Sequence, residues 1–181
     1  MKVLKFGGTS VGNAENIKRV SNILSAQTEA YIVVVSAFSG TTNLLESLAN
    51  SALTNNFLPV LENLKTRHKA VIDALLNPAS HAHVLELVDN EFEKLSTICT
   101  GIAALQELSD KTLARIFSFG EHVSSLIIHA FLQQEGLIIE HVDSSELVIA
   151  NGSSLSAMVD FNTTNKKIQA AITSSKNYIC G

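Results

Sequence analysis

Hydrophobic positions along this chain follow two periods, and the changes from one to the other sketch a fold. Residues 1–6 carry enough apolar side chains for a short buried strand, and 30–35 form a continuous β-branched run of the kind covered on both faces of a parallel sheet. Between them Ile17, Val20, Ile23 and Leu24 recur at helical spacing, with Asn13 placed to cap a helix running to about residue 25. Strand, helix, strand predicts a right-handed βαβ unit. The helical period then takes over, with helices expected over 44–53, 57–76, 80–105 and 110–134, Pro59 in a first turn and Asn77-Pro78 as a break. In the last of these, Leu113, Ile116, Phe117, Val123, Ile127 and Phe131 share helical spacing. Residues 126–132 are apolar nearly all round except at His129, which predicts a helix sandwiched between layers. Gly136 is placed to end that helix. Strands follow at 137–142 and 178–180, with a short helix at 165–173. Segments 147–150 and 157–159 flank Asn151-Gly152-Ser153-Ser154, which reads as a hairpin or a surface loop. The fold class is α/β: a three-layer αβα sandwich with a mainly parallel sheet and a long helical insertion between the second and third strands.

The candidate chemistry sits where strands give way to turns. Gly7 and Gly8 break the first strand before a helix, and without Cβ atoms they let backbone approach a ligand while free N–H groups and a positive helix end face it. Lys5 adds a full charge. The lysine precedes the glycines, so this is not a Walker loop, and no GxGxxG is present. A strand ending in two glycines is also what an ordinary tight turn looks like. Ser36, Ser39, Thr41 and Thr42 follow the second strand at the edge where open α/β sheets place ligands. Such hydroxyls either cap helices or bind a polar substrate. Glu121 follows Gly120 within an apolar stretch, where a carboxylate is costly to bury without a partner; the alternative is a glutamate on the solvent face.

Lys5-Phe6-Gly7-Gly8-Thr9-Ser10 resembles the KFGGTS signature that opens aspartokinases, members of the amino-acid kinase superfamily that include forms fused to homoserine dehydrogenase. Val33-Val34-Val35-Ser36-Ala37 with Gly40-Thr41-Thr42-Asn43 resembles that family's second strand and loop, and Ser118-Phe119-Gly120-Glu121 with Ser124 resembles its SxGExLS helix. The resemblance implies the amino-acid kinase fold and ATP-dependent phosphorylation of the L-aspartate β-carboxylate, the first step of lysine, threonine and methionine biosynthesis. It implies ATP with Mg²⁺ as the phosphoryl donor. Lys5 becomes the catalytic cation, Lys5, Gly7, Gly8, Thr9 and Ser10 the phosphate-binding group, and Ser36, Thr42 and Glu121 the aspartate-binding group, with Glu121 on the α-ammonium. At 145 a serine stands where many members carry a basic residue after Asp143. On the same resemblance, residues 1–181 are expected to be the amino-terminal, acceptor-binding portion of a kinase domain. Most of the ATP lobe and any ACT or dehydrogenase domains are then absent, and the piece is expected to be inactive alone and part of a homo-oligomer when full-length. The rivals are another acid kinase, acting on glutamate, acetylglutamate or carbamate, and a non-catalytic module that keeps the phosphate turn.

Composition narrows the partners. With 13 basic and 17 acidic residues spread along the chain, no basic patch stands ready to neutralise a nucleic-acid backbone, and a small ligand is the expected partner. No apolar run approaches a bilayer-spanning length and no leader opens the chain, so a cytoplasmic protein with no membrane partner is expected. Cys99 and Cys180 lack any framework spacing and read as reduced packing residues. His81 and His83 form the one close histidine pair, without further ligands nearby, and no metal site is expected.

Overall fold

The computed structural model describes residues 1–151 and 157–181. In chain order the elements are β1 (Lys2–Phe6), α1 (Ala14–Ser25), β2 (Tyr31–Val35), α2 (Thr41–Ala52), α3 (Leu58–Leu75), α4 (Pro78–Leu105), α5 (Asp110–Gln134), β3 (Glu140–His141), α6 (Ser144–Leu147), β4 (Ala150–Asn151), β5 (Met158–Val159), α7 (Phe161–Ala171) and β6 (Tyr178–Cys180). The main sheet has the order β1-β2-β6-β3, and every neighbouring pair is parallel. Parallel strands share one carboxyl edge. Phe6 is level with Val35 and Val34 with Cys180, so the segments after β1, β2 and β6 leave the sheet side by side.

Burial follows position in the sheet. β2 is central, and Tyr31, Val33 and Val35 are buried, as is Ile179 of β6. β1 is not the buried strand expected from its composition: it pairs on one side only, and Val3 is 66% exposed while Leu4 and Phe6 are half-buried. One apolar cluster joins Val33 and Ile179 to Ile17 of α1, Leu45 of α2, Leu64 of α3, Phe92 of α4 and Ile127 of α5. The insertion between the second and third strands is thus packed into the core. α5 lies against β2, β6 and β3, and its buried second half (Ile127, Ile128, Phe131, Leu132) is the covered segment expected.

Several boundaries moved, each for a capping reason. The Asn77 side chain accepts from the N–H groups of Ala79 and Ser80 at 3.0 and 3.2 Å, so Asn77-Pro78 starts α4 where a break before residue 80 was expected. Asp160 caps α7 through Thr163 N–H and hydroxyl at 3.1 and 2.7 Å, starting that helix four residues early, at 161 instead of 165. α2 begins at Thr41, so Thr42 belongs to a helical first turn and not to the loop. Asn13 caps α1 as expected, accepting from Asn16 N–H at 2.9 Å. Gly136, at φ +84°, closes α5 with Gly136 N–H on Gln133 O and Leu137 N–H on Leu132 O, both at 3.0 Å, the paired bonds of a Schellman end. The third strand keeps only Glu140 and His141, because Ile138 is 89% exposed and unpaired with the sheet. α6 was not foreseen. β4 and β5 pair antiparallel, which decides for a hairpin; the expected tip at Gly152, Ser153 and Ser154 lies outside the described residues.

Gly120 sets how near α5 comes to β2. A Cβ there would meet Ala37 Cβ at 2.9 Å, Thr41 Cγ2 at 3.1 Å and Leu45 Cδ1 at 3.2 Å. Gly120→Ala is expected to force the helix outward and to cost about 1–3 kcal/mol, as overpacked cores do. Urea unfolding of the two proteins measures it, and an unchanged midpoint would show that the approach has slack.

Candidate functional site

The first strand delivers Lys5 to the carboxyl edge, opposite Val34. The turn that follows closes on itself: Gly7 O accepts from Ser10 N–H at 2.8 Å and from Val11 N–H at 3.2 Å. Ser10 therefore offers a ligand only its hydroxyl. The Lys5 ammonium bends back over the turn, 3.4 Å from where a Gly7 Cβ would stand. A Cβ on Gly8 would lie 3.1 Å from Ala37 O and 3.9 Å from Ser36 Oγ, so the missing side chain is what lets the first turn lie against the end of β2.

The β2 end is fixed from three directions. Ser36 N–H donates to Phe6 O at 3.1 Å, which ties it to β1. From α5, the fully buried Ser124 hydroxyl lies 2.9 Å from Ser36 O and 2.9 Å from its own helix carbonyl at Glu121, while Glu121 Oε1 accepts from Ala37 N–H at 3.4 Å. Arg67 of α3 donates to Ser39 O at 2.8 Å and holds the loop from outside. No side chain caps α2 at Gly40, whose φ is +78°. Glu121 is half-buried, neither the free surface glutamate nor the wholly enclosed one. β6 then runs in against it: the carboxyl-end Gly181 packs so tightly on the Glu121 backbone that no Cβ would fit, and Ser144 donates to Gly181 O.

The structure thus brings Lys5, Gly7, Gly8, Ser36 and Glu121 to one sheet edge. Thr9 and Ser10 follow in the same turn and also line a groove of about 270 Å³ with Phe6, Asn16 and Arg19, and Thr42 is exposed in the first turn of α2. Sequence reasoning missed the Ala37 amide and Arg67, and it named Ser124 only as a member of the SxGExLS-like helix, without a role. Ser124 had a signal, since it stands three residues after Glu121 and so on the same helix face. Arg67 had none.

Glu121 also lines a cleft of about 510 Å³, together with Lys94, Arg115, His122, Asp143 and Ser144. His122 does not pair with its neighbour Glu121; its ring nitrogens lie 3.8 Å from Glu91 and 3.8 Å from Asp143. Behind it His141 accepts or donates at Ser125 Oγ, 2.9 Å away, and packs near His129 with ring centres 5.6 Å apart. Burial, helped by the neighbouring His129 and His122, pushes the His141 pKa down to about 4. Burial also lowers His129 and the core residue His68. Cys99 and Cys180 are free, and burial pushes the Cys99 thiol up to about 11.

A parallel sheet whose carboxyl edge carries a lysine over a glycine turn, faced by a helix with a carboxylate, is an α/β layout of the kind that places ligands beyond the strand ends. The model of the amino acid kinase family matches residues 1–179, and the chain belongs to that family. A bifunctional aspartokinase/homoserine dehydrogenase of Buchnera aphidicola subsp. Acyrthosiphon pisum is 32% identical over 99% of this chain and 23% of its own length. An aspartokinase of Chlamydia trachomatis is 30% identical over 87% of this chain and 34% of its own. The structure of E. coli aspartokinase III in complex with aspartate and ADP, in the R-state, superimposes with a TM-score of 0.87 at 20% identity, over 99% of this chain and 40% of that one. The fold is therefore the α/β amino-acid kinase fold expected, and the chain spans about a quarter to a third of the curated relatives just described. Among the described residues no helix is long and apolar enough to cross a membrane.

The histidines set a pH dependence. A histidine whose folded pKa lies below its unfolded value, near 6.5, favours folding only while neutral, so its contribution is whole above that value and is lost as pH falls toward the folded pKa. Stability is expected to drop between pH 6.5 and about 4, with His141, His129 and His68 acting in the same direction. His141→Gln is expected to flatten that slope in denaturant midpoints measured across the window. An unaltered slope would assign it to other groups.

Proposed function

We propose that this chain supplies the acceptor-binding part of an aspartate kinase, which transfers the ATP γ-phosphoryl group to the β-carboxylate of L-aspartate to give 4-phospho-L-aspartate and ADP. The observation that carries the reading is the single sheet edge shared by Lys5 over its glycine turn and by Glu121 beside Ser36. A carboxylate is a competent nucleophile at neutral pH and needs no general base. The protein's work is to bring two anions into line and to offset charge on the transferring oxygens. Lys5 meets that charge, with the Gly7 and Gly8 backbone and the hydroxyls of Thr9 and Ser10 on the phosphate side. Glu121 takes the α-ammonium of aspartate, and Ser36 and Thr42 donate hydroxyls to its carboxylates. The uncapped start of α2 supports Thr42 in that role, because positive helix-end charge there favours a carboxylate.

Mg²⁺ enters with the nucleotide phosphates in this reading; among the described residues no group of three acids, histidines or cysteines gathers to cage it, and no ligand on this chain is assigned. In this reading the enzyme stands at the start of the lysine, threonine and methionine branches and works in the cytoplasm as a homo-oligomer, within a polypeptide longer than this chain, which spans 23% and 34% of two curated relatives.

Lys5→Ala, placed in the full-length enzyme, is expected to lower kcat by roughly 10²–10³-fold, the usual loss for one group that stabilises transition-state charge. The fold should be untouched, because Lys5 is exposed. ADP release measured with aspartate, glutamate, acetylglutamate and carbamate in turn decides the acceptor; turnover with one of the others would replace aspartate in the assignment. The 181-residue chain alone is expected to release no ADP. Aspartate-dependent release by it would show that the acceptor part carries its own nucleotide site.

A further inference from the structure

One peptide unit, Ser36–Ala37, is held at both of its polar ends by a single helix. Its carbonyl meets the Ser124 hydroxyl at 2.9 Å, and its N–H meets Glu121 Oε1 at 3.4 Å. The two ends of a trans peptide point oppositely in one rigid plane, so fixing the carbonyl fixes where the N–H aims. The two contacts differ in strength. The Ser124 hydroxyl stands at good hydrogen-bond distance from the Ser36 carbonyl, though it shares its one proton with Glu121 O at the same 2.9 Å, whereas 3.4 Å is at the weak end and cannot by itself hold a peptide against rotation.

We propose that Ser124 is a positioning residue for Glu121: by anchoring the Ser36 carbonyl it keeps the Ala37 N–H on one carboxylate oxygen and leaves the other for the ammonium of the acceptor. The proposal rests on the acceptor role given to Glu121 above. Three features make Ser124 the anchor. It is fully buried, so water does not compete for its proton. A helical serine is already satisfied by the carbonyl one turn back, here Glu121 O, so reaching Ser36 as well depends on the close approach that Gly120 permits. The neighbouring Ser125 cannot stand in, because its hydroxyl is engaged by His122 O at 2.7 Å and by His141 at 2.9 Å. Were the peptide to turn over, its carbonyl oxygen would face the Glu121 carboxylate, and the two would repel.

Two variants separate bulk from hydrogen bonding. Ser124→Ala removes the hydroxyl, and Ser124→Cys keeps a side chain of similar shape with a weak donor. In the 181-residue chain, amide hydrogen exchange followed by NMR reads the clamp directly, with no reaction required. Ala37 N–H is expected to exchange about tenfold faster in both variants, the worth of one hydrogen bond to a charged group, while the amides of β2 keep their protection. Unchanged exchange at Ala37, or an equal rise at every amide, overturns the clamp. In the full-length enzyme the same variants are expected to raise KM for aspartate about tenfold and leave KM for ATP alone. Equal changes in both, or normal behaviour of Ser124→Cys, overturn the positioning role. Faster exchange at Ala37 combined with a wild-type enzyme that ignores aspartate keeps the clamp and removes the acceptor assignment.

Discussion

The site depends on how closely one helix approaches the end of one strand. α5 can lie against Ala37 because residue 120 has no side chain, and the contacts that α5 makes with the end of β2 follow from that distance. The Glu121 carboxylate reaches a backbone N–H only from there. The Ser124 hydroxyl reaches the Ser36 carbonyl only from there. The covered second half of α5, with Ile127, Ile128, Phe131 and Leu132, supplies the apolar burial that holds the helix in place against the cost of enclosing polar groups beside it. Packing and polar geometry are thus one arrangement, in which the apolar half of a helix positions its polar half.

Charge around that edge is mixed in sign. Lys94 and Arg115 share the cleft with Glu91, Glu121 and Asp143, while burial disfavours the charged forms of His141 and His129. Such walls offer a counterpart to charge of either sign, in keeping with the even spread of acids and bases along the chain.

The glycine turn and the end of β2 meet through backbone. Gly8 lies against Ala37, and Ser36 N–H is bonded to Phe6, so the glycine turn and the β2 end form one continuous wall. The turn spends the amides of Ser10 and Val11 on its own closure, which leaves the Lys5 ammonium as the full positive charge beside it. A lysine carried on a strand reaches the edge by register alone, without the helix that a Walker lysine opens.

What was legible from sequence was whatever local chemistry decides. Alternation and helical spacing located the strands and long helices, Asn13 and Gly136 marked their ends, and Lys5, Gly7 and Gly8 stood out as a cation before a glycine turn, while Ser36 and Glu121 were singled out by the resemblance of their segments to aspartokinase motifs. The capped starts of α4 and α7 were legible in principle, since Asn77 and Asp160 are good cap residues; they were masked by a proline read as a break and by polar stretches read as loop. The exposure of β1 could not be read, because an apolar strand carries no mark of whether it has neighbours on one side or two. The Ala37 amide and the reach of Arg67 to Ser39 were decided by tertiary structure alone. A backbone N–H has no residue identity to detect, and contacts between elements dozens of residues apart exist only once helices and sheet have settled at their packing distances.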